Sequence, residues 1–144
     1  MKSDVAIVGA GYVGMPLAQV FADAGKSVVL VDVKQEVVEG INRGESHIDD
    51  VSSGELKLLV DTGRITATSD FDALKDVDAI LIALPTPLSS QREPDLSIVR
   101  AAVAEIASRI RGRIACVSAV CNPSRYFGSS RPSSSKKICE SSAS

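Results

Sequence analysis

The chain has 144 residues, 44% of them hydrophobic and 24% charged, with a formal net charge of −2 at neutral pH. That length supplies one domain's core and is too short for a two-domain oxidoreductase, and the charge leaves no basic footprint for nucleic acid. His47 is the one histidine, which argues against an imidazole-based metal centre or catalytic triad, and no apolar run is long enough to span a membrane.

The amino-terminal Met1-Lys2-Ser3-Asp4 runs straight into a strand, without the basic and apolar regions of a secretion signal. Cys116, Cys121 and Cys139 are odd in number and lack a C-x-x-C spacing, so reduced thiols in a cytoplasmic protein are expected. The first strand, Val5-Ala6-Ile7-Val8, leads into Gly9-Ala10-Gly11-Tyr12-Val13-Gly14. The three glycines act differently. Gly9 makes the tight turn, Gly11 lets a pyrophosphate lie against the backbone, and Gly14 lets the next helix approach the strand. The free N–H groups and dipole at that helix's start favour an anion, and Pro16 suits its first turn. Val13, Leu17, Val20, Phe21 and Ala24 recur at helical spacing and are expected to face inward, with Gly25 as the stop.

A second apolar strand, Val28-Val29-Leu30-Val31, ends at Asp32. A carboxylate there accepts both hydroxyls of an adenosine ribose and repels a 2′-phosphate, which favours NAD over NADP. A lone Gly-x-Gly-x-x-Gly is also what an ordinary glycine-rich turn looks like; the strand before it, the helix after it and the spaced acid together point to a nucleotide site.

A second helix is predicted over residues 34–42, with Val37, Val38 and Ile41 inward and Gly44 as its stop. The polar loop that follows carries His47, Asp49 and Asp50, which lack metal-ligand spacing. Ser52 and Glu55 have capping-box spacing ahead of a helix that ends at Gly63. Residues 64–68 read as a β-branched strand, and Asp70 as the cap of a brief helical turn through Leu74.

Residues 79–84 form an unbroken apolar run, as expected of a central parallel strand covered on both faces, and stop at Pro85-Thr86-Pro87. Ligands in such sheets sit beyond the carboxyl ends of the strands, so Thr86 is expected to face the same crevice as the glycine turn; a Pro-braced turn with Thr86 bonding its own backbone is the alternative. Asp95 is expected to cap a long helix whose buried face is Val99, Val103, Ile106 and Ile110 and whose wet face is Arg100, Glu105 and Arg109. Residues 114–117 make a plausible fifth strand. From Asn122 the composition changes: nine of the last 23 residues are serine and no periodicity remains, so a disordered tail over 122–144 is expected after a nucleotide-binding domain over 1–121. The fold class expected is α/β, a doubly wound parallel sheet of the Rossmann type with strands ordered 3-2-1-4-5, incomplete at its fifth or sixth strand.

Residues 1 to about 113 resemble the NAD-binding domain of the UDP-glucose/GDP-mannose dehydrogenase family. The resemblance rests on Gly9-Ala10-Gly11-Tyr12-Val13-Gly14-Met15-Pro16-Leu17, Asn42-Arg43-Gly44-Glu45-Ser46, Ile48-Asp49-Asp50-Val51, Thr66-Ala67-Thr68-Ser69-Asp70-Phe71, and Pro85-Thr86-Pro87-Leu88 followed by Arg92-Glu93-Pro94-Asp95-Leu96-Ser97. The last stretch is similar to the branch that oxidises UDP-N-acetylhexosamines such as UDP-N-acetylglucosamine.

The resemblance implies oxidation of a UDP-sugar's C6 alcohol to a carboxylate with two NAD, through intermediates on a cysteine of a second domain that this chain lacks. None of the three cysteines matches that motif, so no catalytic residue is assigned. It also implies backbone contacts from Gly11, Tyr12 and Val13 to the pyrophosphate, Asp32 on the adenosine ribose, Thr86 near a ribose or phosphate, and homo-oligomers. The basic residue that the family often has five positions after the acid is Val37 here, with Lys34 a substitute. The family's Pro-Gly-Thr after the fifth strand is replaced by Ser118-Ala119-Val120-Cys121-Asn122-Pro123-Ser124-Arg125, and a shifted reading frame with premature stop is the expectation that this departure raises. A stand-alone, non-catalytic NAD-sensing module and a relative of the β-hydroxyacid dehydrogenases are the competing readings.

Overall fold

The computed structural model describes residues 2–84 and 96–110. Four strands, β1 (Val5–Val8), β2 (Val28–Val31), β3 (Ile65–Thr68) and β4 (Ala79–Ile82), form one parallel sheet in the order β3-β2-β1-β4. The strands are flush: Val5 lies beside Val28 and Ala79, and Val28 beside Ile65. This is the doubly wound α/β arrangement expected, and the expected fifth strand and tail lie outside the described residues.

Alternation along the strands sorts side chains into two cores. Val5, Ile7, Val28, Leu30, Ile65 and Ala67 pack under α1 (Gly14–Asp23), α2 (Gln35–Asn42) and α3 (Ser53–Asp61). Ala6, Val8, Val29, Val31, Ile80 and Ile82 face the 3-10 helix Phe71–Asp76 and α4 (Ser97–Arg109) through Leu74 and Ile106. Burial on both faces explains why β1 and β2 are apolar throughout. In β3, Thr66 is exposed, because the second layer does not extend over the sheet's far edge.

The helix signals in the sequence hold at several ends. Ser52 Oγ accepts from the Glu55 N–H at 3.3 Å, and Asp70 accepts from the Asp72 N–H at 2.9 Å. The inward face of α1 differs from expectation: Gly14, Met15, Ala18 and Ala22 are buried, Val13, Leu17 and Phe21 flank them, and Val20 is 64% exposed. Helix and sheet approach so closely at Gly14 that small residues form the contact row, and the spacing of bulky side chains does not reveal it. On α4, Ala102 and Ile106 are buried while Val103 is 41% exposed; the residue preceding the helix is Leu96, which makes no side-chain cap bond, and Asp95 lies outside the described residues.

The amino end of the sheet is clamped by Asp4, whose carboxylate accepts from the Ser27 N–H at 2.9 Å and the Ser27 hydroxyl at 3.1 Å; these bonds hold the Asp4 carboxyl below the ordinary range. At the β3 edge, the Asn42 side chain takes the place of a missing strand. Its Nδ2 donates to the Ala67 carbonyl and its Oδ1 accepts from the Ala67 N–H, both at 2.9 Å. Both bonds go in Asn42→Ala, and at this part-buried edge water replaces them only in part, so a loss of about 1–2 kcal/mol is expected. Thermal melting checks this, and an unchanged melting temperature would mean that the pair contributes nothing. Among the described residues, no helix is long and apolar enough to cross a membrane.

Candidate functional site

Beyond the strand ends the ladder continues for one residue. The Gly9 N–H donates to the Val31 carbonyl, the Ala83 N–H to the Val8 carbonyl and the Asp32 N–H to the Thr68 carbonyl. Gly9, Asp32 and Ala83 therefore stand in one row across the carboxyl edge of the sheet. Strand order reverses there: β2 and β3 lie on one side of β1, and β4 returns on the other. Such a reversal opens a crevice above the sheet.

The three glycines differ sharply. Gly9 has φ +103°, and a Cβ on it would stand 2.5 Å from the Ala83 carbonyl oxygen. On Gly14 a Cβ would fall 1.8 Å from the Gly9 carbonyl oxygen. Both are glycine because the protein leaves no room for anything else. A Cβ on Gly11 would meet no atom within 4 Å. Nothing in the described fold requires glycine at this position, which is what a turn shaped for a closely approaching ligand would show.

The Gly11, Tyr12 and Val13 N–H groups make no backbone hydrogen bond among the described residues, and they precede α1, whose first turn carries no acidic side chain. Tyr12 is 64% exposed. This set of unpaired donors at a helix start is suited to an anion.

Asp32 joins the two loops. Its Oδ2 accepts from the Ala10 N–H and its Oδ1 from the Lys34 N–H, each at 2.9 Å. One carboxylate thus ties the glycine turn to the start of α2, and each oxygen keeps acceptor capacity for a further donor. Lys34 is exposed and immediately precedes α2. Gly9, Gly11, Tyr12, Val13, Gly14, Asp32 and Lys34 are thereby brought to one end of the sheet. Thr86 lies outside the described residues.

Sequence patterns do not reveal the cavity of about 540 Å³ beside this row. Val8, Gly9, Val31 and Asp32 line it from the sheet, Val33, Phe71 and Leu84 from the loops and the 3-10 helix. The α4 side supplies Ile98, Ala101, Ala102 and Glu105. Those four positions are spaced by three, four and seven residues, so they share one helical stripe. Ala101 and Ala102 leave the space that larger side chains would fill. The size and mostly apolar lining suit a flat organic group. Among the described residues no cluster of three or more His, Cys, Asp or Glu is placed to hold a metal ion, and His47, Asp49 and Asp50 are exposed.

Residues 3–126 match the UDP-glucose/GDP-mannose dehydrogenase family, NAD binding domain. Over 104 residues the chain is 40% identical to UDP-N-acetyl-D-mannosamine dehydrogenase of Salmonella typhi, covering 72% of this chain and 24% of that protein. It is 35% identical over 103 residues to a UDP-glucose 6-dehydrogenase of Haloferax volcanii, again covering 72% of this chain and 24% of the relative. The structure superposes on GDP-mannose dehydrogenase from Pseudomonas aeruginosa, crystallised as a ternary complex, with a TM-score of 0.74 and 31% identity, covering 81% of this chain and 28% of that one. The chain thus spans about a quarter of the length of the relatives it matches.

Proposed function

We infer the function of this chain from one premise: it belongs to the UDP-glucose/GDP-mannose dehydrogenase family and corresponds to that family's NAD-binding domain. The observation that carries the reading furthest toward residues is the open space over Gly11, set against the closed space at Gly9 and Gly14. In this reading the pyrophosphate lies against Gly11 and takes hydrogen bonds from the N–H groups of Gly11, Tyr12 and Val13, with the start of α1 behind it. Asp32 accepts the adenosine ribose hydroxyls, Lys34 stands beside that ribose, and the adenine enters the cavity between Val33 and the α4 stripe. Thr86 is the further cofactor contact that the family resemblance implies, near a ribose or phosphate. Bound NAD supplies a hydride acceptor; the chain's part is to hold and orient it.

For the whole reaction we propose oxidation of the C6 alcohol of a UDP-sugar to a carboxylate with two NAD. The substrate class is a UDP-N-acetylhexosamine, with UDP-N-acetylglucosamine the sugar expected from the Arg92-Glu93-Pro94-Asp95-Leu96-Ser97 segment. The Salmonella relative carries UDP-N-acetyl-D-mannosamine in its name, which makes that sugar the natural competitor in any assay. The glycine turn alone is shared with β-hydroxyacid dehydrogenases; the match across residues 3–126 is what favours the nucleotide-sugar reading.

The chain by itself is expected to bind NAD and to turn over no nucleotide sugar. A covalent intermediate needs an activated thiolate at the reacting carbon, and Cys116, Cys121 and Cys139 do not stand in the family's catalytic motif. Calorimetric titration with NAD, followed by an absorbance assay for NADH with UDP-N-acetylglucosamine and UDP-N-acetylmannosamine, tests both halves. Steady NADH formation would overturn the second half, and failure to bind NAD the first. NAD binding without turnover is also what a stand-alone sensing module would show, and adding the remaining domains of a relative separates the two: restored turnover favours the dehydrogenase.

A further inference from the structure

We propose that Glu105 reads the base of the bound dinucleotide: its carboxylate accepts a hydrogen bond from the exocyclic amino group of adenine, so the cavity selects a 6-aminopurine over a 6-oxopurine. The proposal rests on the cofactor reading above and adds a specificity-determining residue to it. Of the described residues lining the cavity, Asp32 and Glu105 alone carry ionisable side chains. Asp32 is engaged at the sheet edge, with one oxygen on the Ala10 N–H and the other on the Lys34 N–H. Glu105 sits seven residues along α4 from Ile98, about 10 Å at the helical rise. It therefore marks one end of the slot whose wall is Ala101 and Ala102.

Its carboxylate is also held in place. Arg109 Nη1 donates to Glu105 Oε2, and Arg109 Nε donates to Asp72 Oδ1 at 3.1 Å. Asp72 in turn pairs with Lys75 at 3.0 Å. This relay anchors Glu105 from the 3-10 helix and leaves its Oε1 without a hydrogen-bond partner among the described residues. An ionised carboxylate can only accept hydrogen bonds. The 6-position of adenine offers an amino donor, whereas hypoxanthine and guanine present a carbonyl acceptor there. With a carboxylate at the rim, the first is attracted and the second repelled. Arg109 balances the charge, and it is not among the described residues that line the slot.

Nicotinamide hypoxanthine dinucleotide replaces the 6-amino group of NAD with an oxo group and leaves the sugars, phosphates and nicotinamide unchanged. Titration calorimetry of the 144-residue chain should give about tenfold tighter binding of NAD than of this analogue, the size expected for one hydrogen bond to a charged, half-exposed acceptor. Glu105→Ala should bring the ratio to within about twofold, chiefly by weakening NAD. Glu105→Gln, which keeps an acceptor and gains a donor, should narrow the ratio by improving the analogue. A melting temperature taken on each variant separates loss of the Arg109 pairing, which shifts stability, from loss of base reading, which shifts the ratio. Equal binding of the two dinucleotides by the parent chain would overturn the proposal while leaving the cofactor reading intact, as would an unchanged ratio in Glu105→Ala. No binding of either would remove the cofactor reading and this assignment together. If Glu105→Ala does not fold, the parent ratio and Glu105→Gln still decide.

Discussion

Gly14→Ala should be the most damaging single-methyl change in the first β-α-β unit, and Gly11→Val, although larger, should leave the fold standing. The added Cβ at Gly14 would lie 1.8 Å from the Gly9 carbonyl oxygen and 3.4 Å from Ile7 Cγ2. The oxygen it strikes is backbone, in a residue held at φ +103° with no room beside it for so much as a Cβ, so neither side can give way cheaply. Opening the α1–β1 contact would also expose Met15, Ala18 and Ala22, all buried against the sheet. A loss of roughly 3 kcal/mol or more is expected, a large part of a typical domain's 5–15 kcal/mol. The Cβ of Gly11→Val would meet no atom within 4 Å among the described residues, and the effect should fall on the ligand: melting shifted by a few degrees at most, with NAD affinity lowered by about a hundredfold or more. Thermal melting and calorimetry on both variants provide the check. If Gly14→Ala melts like the parent, the close approach is not a constraint; if Gly11→Val binds NAD normally, the pyrophosphate does not lie there.

That contrast also shows where sequence patterns run out. The strands were legible because both faces of β1 and β2 are buried, which demands unbroken apolar runs, and because Gly9 and Asp32 follow their strands, and Asp70 opens its helical turn, in ways a single chain position reveals. The inward face of α1 was not, because close packing at Gly14 selects small residues, and Ala18 and Ala22 do not stand out beside Val20 in a pattern of bulky apolar side chains. The same limit applies on α4. Glu105 is polar and reads as solvent-facing, and solvent does reach it, but its stripe with Ile98, Ala101 and Ala102 borders a cavity. The two alanines are the one signal that could have pointed there, since small residues on an otherwise apolar face leave space. Asn42 was legible as a residue at a helix end and as part of the family's Asn42–Ser46 stretch, but not as an edge partner; its bonds to Ala67 cross 25 positions and leave no local trace.

Asp32 is expected to make the chain prefer NAD to NADP by about a hundredfold, and its removal should erase most of that preference. A 2′-phosphate on the ribose would bring negative charge against a carboxylate fixed by two N–H donors, Ala10 and Lys34 at 2.9 Å, and so unable to swing aside without breaking them. Two charges about 4 Å apart repel by roughly 1–4 kcal/mol between the limits of bulk water and a protein surface. The phosphate also displaces the hydroxyl that would otherwise donate to the carboxylate, a charge-assisted bond of about 1.5–3 kcal/mol. Lys34, exposed and next to the acid, offsets part of the repulsion, which is why the expected preference is not larger. Asp32→Ala removes the repulsion and the acceptor together, so NAD should weaken by tenfold or more while NADP changes little. It also frees the Ala10 N–H from its one tie to the second loop, and some loss of thermal stability should accompany the change. Asp32→Asn separates the two effects: a neutral oxygen can still hold one N–H, so stability should recover in part, whereas discrimination against the phosphate should not. Calorimetric titration of NAD and NADP against the parent and both variants measures the ratio directly. Equal affinities in the parent, or a preference for NADP, would mean that Asp32 serves only to fasten the glycine turn to α2 and does not face the ribose.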